Sequence, residues 1–170
     1  MGVRALYEQT LQERGYTSDA AQLRAIDALE RCENEWADYK ARRSNAVTKL
    51  LVRPPIPRGV YMWGGVGRGK SFLMDCFFQA VPLTRKTRLH FHEFMREVHR
   101  ELQDLKGTVN PLDELGRRIA RRFRLICFDE FHVSDVTDAM ILHRLLDAMF
   151  ANRVSIVTTS NFPPDGLYPN

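Results

Sequence analysis

The chain has 170 residues, 44% of them hydrophobic and 27% charged, with a formal net charge of +4. That length holds one substantial core plus an appendage. No apolar run approaches the ~18 residues of a membrane-spanning helix, and Met1-Gly2-Val3-Arg4-Ala5 has no secretory apolar stretch, so the chain reads as cytosolic. A modest positive excess suits an anionic partner, and a nucleotide alone would satisfy it.

Residues 1 to 16 carry a short helical pattern, Leu6, Tyr7 and Leu11, ending at Gly15. Asp19-Ala20-Ala21-Gln22 has the form of a capping box and opens a second helix, with Leu23, Ile26, Ala28 and Leu29 on its apolar side, running toward Tyr39. Polar residues dominate 40 to 49, and Pro54, Pro55 and Pro57 then make a stiff bend. Residues 1–57 are expected to form a helical leader packed on a core made by 58–170.

The strongest signal follows. Gly59-Val60-Tyr61-Met62-Trp63 is a short run of strand formers, and Gly64 then opens G-x-x-x-x-G-K-S, ending in Lys70-Ser71 at the head of an apolar-periodic segment, Phe72 to Val81. Strand, glycine loop and helix in this order make a phosphate-binding loop. Gly64, Gly65, Gly67 and Gly69, with Val66 and Arg68 between them, let backbone N–H groups approach phosphate oxygens, and the helix start at Lys70, Ser71 and Phe72 adds its positive dipole end. Lys70 is expected on the β- and γ-phosphates of ATP, and the Ser71 hydroxyl on Mg²⁺. Gln22, ahead of the loop, has two readings: a hydrogen bond to adenine, or only the cap of its helix.

Arg88 to His92 alternates as a strand, followed from Glu93 by a helix with Phe94, Val98, Leu102 and Leu105 at helical spacing, stopped by Gly107. Alternation puts His90 and His92 on one strand face, but no carboxylate or thiol is spaced to complete a zinc site with them or with His99. Asn110-Pro111 supplies a cap and a first-turn proline for a helix with Leu112, Leu115, Ile119 and Phe123 inward. The other side, Arg117, Arg118, Arg121 and Arg122 with Arg124 after it, reads as solvated surface; the alternative is a binding face for phosphate or an acidic partner.

Leu125-Ile126-Cys127-Phe128-Asp129-Glu130 is a continuous apolar run ending in two carboxylates, the pattern of a buried parallel strand that delivers side chains to the carboxyl edge of a sheet. Asp129 is expected to hold Mg²⁺, and Glu130 to orient or deprotonate the attacking water. Asp135 to Phe150 is helical, with Val136, Met140, Ile141, Leu145 and Met149 inward, and Val154 to Asn161 is a further strand. If that strand lies between the two motif-bearing strands, Asn161 can hold the same water. Cys32, Cys76 and Cys127 have no metal or disulfide spacing and read as buried, inert thiols.

Element order predicts an α/β fold, a parallel sheet flanked by helices of the P-loop NTPase type. Four stretches, Gly59 to Ser71, His90 to His99, Cys127 to Met140 and Thr159 to Tyr168, together resemble the ZapE family, AAA+-like ATPases related to the mitochondrial lactation-elevated proteins. The resemblance implies Mg²⁺-dependent ATP hydrolysis, self-association and a role in cell division through the tubulin-like protein FtsZ. By position it makes Gly64 to Ser71 Walker A, Asp129 and Glu130 Walker B, and Asn161 sensor 1. It also implies a missing last core strand, arginine-finger region and C-terminal helical part, which would leave the phosphate-loop strand at an open sheet edge and a lone fragment with weak ATP binding and slow turnover.

Two rivals remain at this point. Asp129-Glu130-Phe131-His132 spells the DExH box of a nucleic-acid-dependent ATPase, although Ser160-Asn161 stands where that class has Ser/Thr-Ala-Thr, making nucleic acid the less expected partner. The other is an interaction module gated by ATP without significant turnover.

Overall fold

The computed structural model describes residues 1–64 and 68–162, with Arg68 as backbone only. Three helices come first, α1 (Val3–Arg14), α2 (Ala20–Arg42) and α3 (Ala46–Leu51). Then β1 (Val60–Trp63), α4 (Arg68–Ala80), β2 (Lys86–His90), α5 (Phe91–Asp104), α6 (Pro111–Arg122), β3 (Leu125–Asp129), α7 (Val136–Ala151) and β4 (Ser155–Ser160) alternate strand with helix.

The strands form one four-stranded sheet in the order β1-β4-β3-β2, and every pairing is parallel. β4 therefore does lie between the two motif-bearing strands. Parallel neighbours need crossover connections, which the helices supply, and both sheet faces end up covered. The apolar run of β3 divides accordingly: Leu125 and Cys127 join a core with α1, α2 and α4, while Ile126 and Phe128 join a second core with α5, α6 and α7. Helices α1 and α2 are part of the first core, where Tyr7, Ile26, Leu29 and Trp36 are fully buried.

Local sequence chemistry explains most of the ends. Gly15 takes the left-handed conformation (φ 66°) and returns its N–H to α1 carbonyls, closing that helix. Asp19 caps α2 at the Gln22 N–H (2.8 Å), and Asp135 caps α7 at the Asp138 N–H (2.7 Å). The thiols are buried, and burial pushes Cys32 up to about 12 and Cys127 higher still, which keeps them protonated.

Several expectations are corrected. The second strand spans 86–90 rather than 88–92, so His92 belongs to α5 and does not share a strand face with His90. His99 is drawn away from both to pair with Asp138 (2.8 Å). Asn110 does not cap α6 with its side chain; it adopts φ 51° and leaves Pro111 to start the helix. Val136 and Met140 face solvent, 55% and 66% exposed. The inward face of α7 is set by Leu142, Leu145, Ala148 and Met149, and at 3.6 residues per turn Met140 lies about 140° from Leu145. Leu23 is likewise 45% exposed. The polar stretch after Tyr39 holds the unanticipated α3, opened by a reciprocal Asn45–Thr48 capping box.

Gly59 is fixed by close approach. A Cβ there would stand 1.8 Å from the Ile156 carbonyl oxygen on β4, and backbone cannot yield as a flexible side chain does. Gly59→Ala is expected to cost about 1–3 kcal/mol of unfolding free energy by prising β1 from β4, read as a lower urea midpoint; an unchanged midpoint would contradict this packing.

Candidate functional site

The first half of the site is built where β1 gives way to α4. The Gly64 N–H donates to the Ser160 carbonyl (3.2 Å), prolonging the β1–β4 pairing by one residue. Gly65, Val66 and Gly67, expected to wrap phosphate, lie outside the described residues, as does the Arg68 side chain. Lys70 sits in the first turn of α4 and its Nζ donates to the Gly64 carbonyl (3.2 Å), back across the mouth of the loop. Burial lowers its pKa from the ordinary lysine value. Ser71 is exposed, whereas the Phe72 side chain is buried against Tyr7, with ring centroids 5.5 Å apart. Any contact of Phe72 with a phosphate is thus through its main chain.

Gln22 does more than sit near a cap. Its Oε1 accepts from the Tyr7 hydroxyl (2.8 Å), and its Nε2 lies 2.7 Å from where a Cβ on Gly69 would be. A side chain at 69 would therefore push the Gln22 amide aside from its present place beside α4. Gln22, Trp63, Gly64, Gly69, Lys70 and Leu73 line one cleft of about 680 Å³, a size usual for small-ligand sites.

The second half lies at the carboxyl ends of β3 and β4. Asp129 ends β3 with its side chain only 14% exposed, and Arg88 of β2 grips it with two hydrogen bonds, Nε to Oδ2 (2.8 Å) and Nη2 to Oδ1 (3.2 Å). The same guanidinium bonds Asp75 of α4 and reaches the Ser71 carbonyl (3.5 Å). Burial alone would lower the Arg88 pKa, and the hydrogen bonds it donates to the Asp129 and Asp75 carboxylates, with their charges, more than reverse that. Arg88 went unrecognised in the sequence. The signal for it is register: β2 and β3 pair with Arg88 opposite Cys127 and His90 opposite Asp129, which no local pattern announces.

Glu130 follows in a left-handed conformation (φ 55°) that costs a non-glycine residue about 1 kcal/mol. It is held there by β4. The Glu130 N–H donates to Thr159 Oγ1 (3.2 Å), the Phe131 N–H to the Thr159 carbonyl (2.8 Å), and the Ser160 hydroxyl to the Phe131 carbonyl (2.7 Å). The result is a carboxylate 70% exposed at the sheet edge, 3.5 Å from His90 Nδ1. Asn161 follows β4 directly and is exposed, and the next residue is pinned by the Tyr61 hydroxyl, which donates to the Phe162 carbonyl (2.8 Å). Lys70, Ser71, Asp129, Glu130 and Asn161 thus all arise at the carboxyl edge of one parallel sheet, with Gln22 reaching it from the leader.

The sequence profile of the AFG1-like ATPases matches residues 1–170, the whole chain. Over 113 residues the chain is 56% identical to the cell division protein ZapE of Escherichia coli K12, covering 66% of this chain and 30% of that protein. It is 43% identical over 129 residues to lactation elevated protein 1 homolog B of Danio rerio, covering 69% of this chain and 26% of that one. The chain thus spans about 30% of the length of the curated relatives it matches. Among solved structures, AMPPCP-bound DnaA from Aquifex aeolicus superposes with a TM-score of 0.57 at 16% identity, covering 91% of this chain and 42% of that one. The crystal structure of DnaI gives 0.54 at 18%, covering 86% and 66%. At such identities the likeness is one of fold alone, a parallel sheet flanked by helices. The family that the four sequence motifs pointed to is the one that the whole-chain match returns: this chain belongs to the AFG1-like ATPases.

Proposed function

We propose that this chain carries the ATP-binding and ATP-hydrolysing site of a Mg²⁺-dependent, AAA+-type ATPase of the ZapE kind. It acts in the cytoplasm in cell division, with FtsZ as protein partner and with self-association in the longer protein. The observation that carries this reading is the position of β4 between β1 and β3, which gives the Lys70 cleft and the Asp129-Glu130 turn one sheet edge. The division role rests on the likeness to the Escherichia coli protein alone.

Each residue has a distinct task in this reading. Lys70 binds the β- and γ-phosphates, and the loop from Gly64 through Gly69 to the main chain of Phe72 wraps them. The Gln22 amide, anchored through its oxygen by Tyr7, offers its nitrogen as a donor to adenine. The Ser71 hydroxyl and the Asp129 carboxylate are hard oxygen donors of the kind Mg²⁺ takes, few in number because the ion keeps several waters. Asp129 is a largely buried carboxylate that already takes a cationic partner, the Arg88 guanidinium, and that guanidinium also reaches the Ser71 main-chain carbonyl, so the two donors stand close together. When bound, Mg²⁺ supplies neutralisation of charge on the phosphate oxygens. Glu130 orients and deprotonates the attacking water, and Asn161 holds that water in line. Arg88 keeps Asp129 compensated and oriented in the absence of nucleotide.

Three substitutions separate these tasks. Glu130→Gln is expected to leave ATP affinity within about threefold and to cut turnover by about 10²–10⁴, which also distinguishes an enzyme from a binder that never hydrolyses. Lys70→Ala is expected to weaken ATP binding at least about tenfold in a fluorescent-nucleotide titration; unchanged affinity would exclude the loop as the phosphate site. Arg88→Met removes a charge partner from a half-buried carboxylate and is expected to cost about 1–3 kcal/mol in urea unfolding, an expectation that an unmoved midpoint contradicts.

A further inference from the structure

At the amino ends of the strands, opposite the phosphate loop, the chain gathers positive charge. Because all four strands are parallel, the residues just before β2, β3 and β4 come to one edge, and Arg85, Arg124 and Arg153 stand at those positions. Arg43 at the end of α2, Arg53 in the segment leading to β1, and Arg117 and Arg121 on α6 converge on the same place. A cleft of about 610 Å³ opens there, and of its ten lining residues seven are arginine and none is acidic.

We propose that this cleft is a binding site for a compact oligophosphate, a small ligand carrying several clustered phosphate groups, and that it is separate from the nucleotide site. Part of the argument is the kind of partner these guanidinium groups have. Arg85 donates to the carbonyls of Ala120 and Arg121, Arg124 to the Asn152 carbonyl (3.2 Å), Arg43 to the Tyr39 hydroxyl (2.8 Å) and Arg153 to the Pro54 carbonyl. The Arg85 and Arg124 bonds close the carboxyl ends of α6 and α7, and all four fix the direction of their side chains. Neutral acceptors do not cancel charge, so four oriented cations remain. Arg117 alone of the seven has a carboxylate, Glu114 (2.9 Å), while Arg53 and Arg121 make no hydrogen bond or ion pair among the described residues.

The field of this group registers on its neighbours. The Arg124 pKa is lowered, first by burial and then by the charges of Arg85, Arg43 and Arg153. Burial pushes the Tyr39 phenol up, yet the hydrogen bond from Arg153 and the charges of Arg153, Arg43 and Arg124 outweigh it and bring it down. A site with surplus positive potential and no lysine is suited to planar, two-pronged recognition of phosphate oxygens. Its volume lies within the roughly 300–1,000 Å³ of small-ligand sites.

Calorimetric titration of inorganic tripolyphosphate tests this, with the Lys70→Ala protein to silence the phosphate loop and an Arg53→Ala/Arg121→Ala protein to weaken the cleft. Both arginines are exposed, so that variant keeps its fold, checked by circular dichroism; a single Arg121→Glu protein provides a second reading. Lys70→Ala protein is expected to retain one tripolyphosphate site, weakened at least about tenfold when the two arginine changes are added. Absence of binding to Lys70→Ala protein, or affinity indifferent to the arginine changes, would overturn the proposal. So would arginine-dependent capture of a single-stranded oligonucleotide or a polyglutamate peptide more tightly than tripolyphosphate. If wild-type protein shows only the arginine-dependent site, this inference stands and the phosphate-loop assignment falls.

Discussion

The architecture depends on one strand being held between two others. β4 pairs in parallel with β1 on one side and β3 on the other, and its last residues extend that pairing into the loops, through Gly64 N–H to Ser160 O and Phe131 N–H to Thr159 O. A parallel sheet places every strand's carboxyl end at one edge, so Gly64 with Lys70, the Asp129-Glu130 pair and Asn161 arrive at that edge from three separate parts of the sequence. The positive φ at Glu130 is tolerated because Thr159 and Ser160 hold the turn from both sides. Backbone strain of this kind persists only where the surrounding hydrogen bonds over-determine the turn.

The two ends of the sheet carry opposite electrostatic problems. At the carboxyl edge, a half-buried Asp129 would be costly alone, and Arg88 compensates it with a two-pronged bond while also reaching Asp75 and Ser71. At the amino edge the charges are nearly all of one sign, and apart from the Arg117–Glu114 pair their hydrogen bonds go to carbonyls and a phenol rather than to carboxylates. The first arrangement is closed within the chain. The second is left open, with its cations already oriented.

Much of this was legible in the residues. Among the described residues, periodicity and capping residues marked every strand and all helices but α3, and the loop glycines with Lys70, and the Asp129-Glu130 pair after an apolar run, marked the candidate site, because those signals are local. What escaped was set by non-local geometry. Arg88 looks like any basic residue in a short strand until β2 is laid against β3. The helical phase of α7 is chosen by Leu142 and Ala148, leaving Val136 and Met140 outside, and His92 is lost to a helix that starts two residues earlier than alternation suggests. The run from Arg117 to Arg124 reads as one solvated helix face, yet Arg118 pairs back to Glu114 while Arg117, Arg121 and Arg124 meet Arg43, Arg53, Arg85 and Arg153 from elsewhere.

The central claim is that the carboxyl edge around β4 is a single nucleotide site in which Arg88 holds the place of a metal-bound partner of Asp129. A crystal structure with Mg²⁺ and a non-hydrolysable ATP analogue tests it most directly. The account predicts the terminal phosphates against Lys70, the metal between the Ser71 hydroxyl and Asp129, and Arg88 withdrawn from Asp129. Nucleotide bound away from Lys70, or an Arg88–Asp129 pair left intact beside a metal that Asp129 does not share, would contradict it.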